Sequence, residues 1–317
     1  MRIILTLLLI LTLIPAASAS SLEERLSAVA LIDQNAEAYK PAAYKYNGAA
    51  FVRRGCGPAS IANALCALFD VREQEEADAL LLESMKLFTN SHQPAREIID
   101  IKRMERLAEV DPAQYPVLSR LLDAAGAQVV CRDGNLSPDL VSACLDNRGD
   151  SPLLLLCRIS LTDQWADVVS VCENLLEAGH NDALLLAVYV SAGPSSTVAP
   201  FRGGDSGHYI SVALSPDELL ERCAFYVLDS DPRALPGEAF GKGEAYDDRY
   251  TLVRREGRLP YDFALTHLQR GVVAASLKEA RLTALEALSP DEAAAQRLAW
   301  LREMLVFGRA ACIIYVP

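Results

Sequence analysis

The chain has no block of lysine and arginine interleaved with aromatics, and its formal net charge is -12. A surface this acidic repels phosphate backbones, so nucleic acid is excluded as an expected partner. There is no internal repeat, no low-complexity tract and no linker that splits the chain, so one domain over residues 20–317 is expected. Eight cysteines (Cys56, Cys66, Cys131, Cys144, Cys157, Cys172, Cys223 and Cys312) include no CxxC pair, which argues against a zinc ribbon. Their irregular spacing is not a disulfide framework. Cys66, Cys157 and Cys312 sit in apolar runs and read as small buried hydrophobes. Histidine is scarce, with four residues. His92, His180 and His267 have no metal-like partner at short spacing, so no metal and no other cofactor is expected.

What is present begins with core-forming material: 51% hydrophobic and 23% charged residues exclude a disordered chain. The first residues read as an address. Arg2 precedes an unbroken stretch of Ile, Leu and Thr from Ile3 to Ile14, Pro15 breaks it, and Ala17-Ser18-Ala19 offers a small-x-small cleavage pattern. The run falls short of the about 20 residues that a membrane span needs. A signal peptide over residues 1–19 is therefore expected, with an uncleaved anchor as the alternative. No Cys follows the run, which argues against a bacterial lipid anchor. The mature chain is expected to be secreted or extracytoplasmic, with no membrane contact beyond export.

Periodicity organises the rest. Leu22, Leu26, Val29 and Ile32 predict a helix over 20–36, while 40–54 reads as a loop. Ala59 to Phe69 predicts a strongly apolar helix opened by Gly55-Cys56-Gly57-Pro58; proline favours the first helical position, which places Cys56 at the helix N-terminus. A helical insertion is expected over about 73–125 and a strand over 127–131. Strands are predicted over 153–159, 184–190, 208–214, 224–228 and 311–316, with a helix over 163–178 and an exposed loop over 232–248. In the strand over 208–214, Tyr209, Ser211 and Ala213 share one face and His208, Ile210 and Val212 the other. Two amphipathic helices are expected over about 261–307. Helices first and strands later predict an α+β fold.

Three segments carry candidate chemistry: Gly55-Cys56-Gly57-Pro58-Ala59-Ser60, Ser206-Gly207-His208-Tyr209, and Tyr226-Val227-Leu228-Asp229-Ser230-Asp231-Pro232. A nucleophilic cysteine must ionise near neutral pH, although an unperturbed thiol has a pKa of about 8.5. A helix N-terminus supplies orphan N–H groups and the positive end of the helix dipole, which stabilise a thiolate. The Cys56 amide can also face a developing oxyanion. A histidine opening a strand, His208, can act as base, and a carboxylate ending the neighbouring strand can fix its tautomer. Asp229 is favoured because it directly ends the apolar run; Asp231 stays open.

These residues resemble the papain-like cysteine peptidases, nearest to the bacterial double-glycine leader peptidases and their secreted relatives. The resemblance rests on Cys-Gly-Pro-Ala at Cys56, Gly-His-Tyr at His208 and Asp-Pro at Asp231, in the order Cys, His, Asp. It implies a papain-like fold: a helical N-terminal part, with the cysteine on a helix N-terminus, packed on an antiparallel sheet carrying His and Asp. It implies Cys56 as nucleophile, His208 as general base and Asp229 or Asp231 as its orienter, acting on a peptide or protein substrate through a thioester. One position departs from the family. A glutamine six residues before the cysteine usually supplies a second oxyanion donor, and Ala50 stands there. Asn47 is the nearest upstream amide, ahead of the more distant Gln34 and Asn35. A transferase or transpeptidase on the same scaffold, and a catalytically weak binding protein, are the alternatives.

Overall fold

The computed structural model describes residues 22–41, 44–46, 48–88, 106–131, 153–157, 166–177, 179, 185–191, 208–230, 263–269, 271–277, 279–304, 306–307 and 310–315. The first helix, α1 (Leu22–Ala28), is shorter than the periodicity predicts. Beyond it the chain crosses the central helix with no regular secondary structure over residues 29–36. There the buried Asn63 side chain takes both backbone groups of Ile32: the Ile32 N–H donates to Oδ1 at 2.7 Å, and Nδ2 donates to the Ile32 carbonyl at 3.4 Å. Val29 and Ile32 are buried on this crossing rather than on a helix face.

The expected loop over 40–54 holds structure of its own. A small hairpin, β1 (Lys45–Tyr46) and β2 (Ala49–Ala50), turns at Gly48 with φ +75° and runs straight into a one-turn helix, α2 (Phe51–Arg54). The Phe51 N–H donates back to the Tyr44 carbonyl at 3.0 Å. Local hydrogen bonding of this kind leaves no apolar period for the sequence to display.

The central helix is α3 (Cys56–Phe69), which carries no charged residue and is buried at every position from Gly57 to Leu68. A helix apolar all round belongs in the interior. Its C-terminus is closed by Asp70 at φ 53° and by Arg25, whose Nε and Nη2 donate to the carbonyls of Ala67 and Leu68 at 3.0 and 2.8 Å. Helix α4 (Gln74–Leu87) packs on α3, and α5 (Pro116–Ala125) packs on α4. The buried Glu83 carboxylate accepts from the N–H groups of Val117 and Leu118 at 2.9 and 2.8 Å, which satisfies the first turn of α5. The expected helical insertion is thus present at both its ends; residues 89–105 lie outside the described residues.

The strands are β3 (Gln128–Cys131), β4 (Leu153–Cys157), β5 (Ala166–Asp167), β6 (Leu185–Ser191), β7 (His208–Leu214), β8 (Phe225–Leu228), β9 (Phe263–Gln269), β10 (Val272–Leu277), β11 (Val306–Phe307) and β12 (Ala310–Tyr315). Eight of them form one sheet in the order β3-β12-β4-β6-β7-β8-β10-β9. The sheet is mixed rather than purely antiparallel, because β4 and β6 run parallel. Helix α6 (Val168–Glu177) connects them, preceded by β5, which pairs with β11. Helix α7 (Pro216–Arg222) joins β7 to β8 and packs against α6 and α9 (Pro290–Met304). Helix α8 is Glu279–Glu286. Ser211 to Leu214 and Phe225 to Leu228 are all buried, so both faces of β7 and β8 are covered.

One expectation is overturned. Residues 263–277 form the hairpin β9–β10 and not the start of an amphipathic helix. Gly271 at φ +88° makes the turn, a conformation that glycine tolerates without strain. The run Val272-Val273 after it suits a pleated strand better than a helix. The predicted loop over 232–248 lies outside the described residues.

Candidate active site

Cys56 is the first residue of α3 and is half-buried. Its position is set by the two residues on either side. Gly55 donates its N–H to the Phe51 carbonyl at 2.6 Å, closing α2 immediately before α3 begins. A Cβ on Gly55 would run into the Phe51 ring and lie 2.6 Å from the Phe51 carbonyl oxygen, so only glycine fits. Pro58 stands third in α3 rather than first. Its missing N–H costs nothing there, because the first four helical N–H groups have no intrahelical acceptor. Phe51 is fully buried and meets Tyr39 edge-on at 5.5 Å between centroids, and Tyr39 meets Tyr44 edge-on at 5.3 Å. The Tyr39 hydroxyl donates to Asp78 at 2.5 Å; burial, with that carboxylate adding to it, pushes the phenol well above its ordinary pKa.

The sheet meets this helix along β7. α3 packs across β4, β6, β7 and β8, and the buried Ser211 hydroxyl donates to the Ser60 carbonyl at 2.7 Å. Ser60 is one helical turn beyond Cys56, and Ser211 is three residues beyond His208. His208 is the first residue of β7, with its backbone paired to Ser191. Leu228 pairs with Ser211 across the β7–β8 ladder, so Asp229, one residue on, falls level with Ile210. Asp229 is 1% exposed, and its N–H donates to the Gly271 carbonyl at 2.8 Å. The backbone therefore brings together Ser60 in α3, Ser211 in β7 and Leu228 at the end of β8. The His208 imidazole, Asn47 and Asp231 lie outside what the structure describes.

Ala50 occupies the end of β2 and flanks α2, with no side-chain amide to offer. A buried amide does reach this region from farther back along the chain. Gln34 is 6% exposed. Its Nε2 donates to the Val52 carbonyl at 3.4 Å, its Oε1 accepts from the Ser230 hydroxyl at 3.2 Å, and its backbone N–H donates to the Ser230 carbonyl at 2.6 Å. Sequence distance ranks Asn47 ahead of Gln34, whereas the crossing after α1 carries Gln34 onto α2. The signal available in the sequence was only that Gln34-Asn35 follows the last apolar position of that crossing.

Among the described residues, three other thiols differ from Cys56 in burial. Cys66, Cys172 and Cys223 are all buried. Burial pushes the Cys66 thiol far up, with Glu76 and Asp78 adding to it, and pushes Cys223 up to about 12 despite Arg297 nearby. Thiols held protonated in this way are poor nucleophiles and poor metal ligands. Among the described residues no three His, Cys, Asp or Glu side chains converge as a metal site, and no helix is long and apolar enough to cross a membrane.

Compared with known proteins, the chain matches no family model, and no curated protein and no solved structure matches it.

Proposed function

We propose that the chain is an exported cysteine hydrolase of amide bonds on a papain-like scaffold, with Cys56 as nucleophile, His208 as general base and Asp229 or Asp231 orienting the imidazole. The observation that supports the reading is the Ser211–Ser60 hydrogen bond. It seats the helix that begins at Cys56 on the strand that begins at His208, and the neighbouring strand ends at Leu228, one residue before Asp229.

In this reading His208 takes the Cys56 thiol proton, and Sγ attacks the substrate carbonyl carbon. The oxyanion faces the Cys56 amide at the start of α3. The C–N bond breaks as His208 returns its proton to the departing amine, leaving a thioester. Water, deprotonated by His208, then attacks the thioester; the acid leaves and the proton returns to the thiol. Ser211 faces α3, and His208 is three residues away, so strict strand alternation sets the two on opposite faces. The reading requires the imidazole to reach the helix side where β7 starts.

The experiment is a proximity and turnover pair. In the variant His208→Cys, a short bifunctional thiol reagent is expected to join Cys56 to the new thiol. With the parent chain, a mixed peptide library read by mass spectrometry is expected to show cleavage that Cys56→Ala abolishes while stability stays within about 1–2 kcal/mol. Cleavage that survives Cys56→Ala removes the assignment, and so does a missing cross-link. An amine added in excess separates hydrolysis from acyl transfer.

A further inference from the structure

Gln34 joins the two segments on which the proposed chemistry depends. Val52, which accepts from its Nε2, lies one helical turn before Cys56; Ser230, which bonds to its Oε1 and to its backbone N–H, is the residue after Asp229. These contacts span 18 and 196 residues of chain. A planar amide has a fixed length between its donor and its acceptor. With one end on α2 and the other on the end of β8, it sets the separation between the nucleophile's segment and the carboxylate's segment. The side chain is buried at 6% exposure and its polar ends are occupied, so it is held rather than sampled.

We propose that Gln34 is a positioning residue of the site, acting as a clamp that holds the start of α3 against the end of β8; its catalytic consequence rests on the reading given above. Gln34→Met keeps the length and removes both polar ends. Gln34→Glu keeps an acceptor for Ser230 and removes the donor to Val52. The measurements are amide hydrogen exchange over peptides covering residues 51–57 and 224–230, and the pH dependence of iodoacetamide alkylation of Cys56.

Gln34→Met is expected to speed exchange in both peptides together and to slow alkylation at neutral pH about tenfold by raising the pH midpoint. Gln34→Glu is expected to speed exchange in the 51–57 peptide alone. Exchange unchanged in either peptide of Gln34→Met overturns the clamp. Faster exchange with an unmoved alkylation profile makes Gln34 a core amide with no positioning role and also overturns the proposal. A parent chain whose Cys56 titrates as an ordinary thiol is a different result: it removes the hydrolase reading, and the exchange data still decide whether the clamp exists.

Discussion

The Ser211 hydroxyl donates to the Ser60 carbonyl at 2.7 Å across 151 residues of chain, and it is a buried polar tie between the central helix and the sheet. Ser60 stands in mid-helix, so its carbonyl keeps a helical partner when the hydroxyl is removed. Ser211→Ala is therefore expected to cost about 1 kcal/mol, read from the urea midpoint at unchanged slope. Because the tie seats the helix on the strand, alkylation of Cys56 should slow as well. A loss of stability with no change in alkylation would separate the tie from the site.

Gly55 and Phe51 form a matched pair, because the ring occupies the space where any other residue would carry a Cβ. Gly55→Ala alone should destabilise by about 1–3 kcal/mol through overpacking, and Phe51→Ala alone by about 3–5 kcal/mol through the cavity it leaves. The double variant should cost less than the sum, since removing the ring relieves the side-chain part of the clash, while the contact with the Phe51 carbonyl oxygen remains. Additive costs would mean the two side chains do not share that space.

Asn63 is fully buried and satisfies both backbone groups of Ile32. Asn63→Leu leaves a buried N–H and a buried carbonyl unpaired, at about 1–3 kcal/mol for each such group. The expected readout is a drop in thermal midpoint with faster exchange at Ile32. A neutral substitution here would contradict the described crossing.

Glu218, in the first turn of α7, has a buried Oε2 with no hydrogen-bond partner among the described residues. Burial, then the Asp217 carboxylate, raises its pKa above the ordinary glutamate range, although Arg222 and Ser215 pull the other way. A carboxyl whose pKa is higher in the folded state binds its proton more tightly there. Its favourable contribution is present at low pH and is lost as pH rises through the raised value. Glu218→Gln should therefore raise the melting temperature at neutral pH. The gain should shrink as pH falls from neutrality through the raised value, and be gone below about 4.3, where the unfolded carboxyl is protonated too. A gain of equal size at every pH would rule out the proton linkage.

The parts of the fold legible in sequence are those where one physical signal dominates. The uncharged run Ala59–Phe69 has no alternative to a buried helix, and β7, β8 and β12 stand as apolar segments between turn residues. The hairpin at 263–277 reads as a helix in sequence because its apolar residues recur at spacings that also suit a helix. Gly271 and the β-branched pair after it decide the matter, and they are local features. The parallel β4–β6 pairing depends on chain crossover, which no single segment encodes. At the site, the Cys56 position followed from Gly55 to Pro58, although the steric reason is Phe51, four residues earlier. Gln34 ranks behind Asn47 in sequence because its relevance is a tertiary contact with Val52 and Ser230.

Arg25 closes the far end of the helix whose other end carries Cys56, and Gln269 donates from Nε2 to the Leu26 and Val29 carbonyls at 2.6 and 3.1 Å beside it. Truncation from the amino terminus accordingly has a boundary within the chain. Trimming that stops short of Arg25 leaves the guanidinium on the Ala67 and Leu68 carbonyls, whereas trimming past it strips a cation from the negative pole of the buried helix. The amino-terminal limit of a durable truncated form is thus written into the last turn of α3.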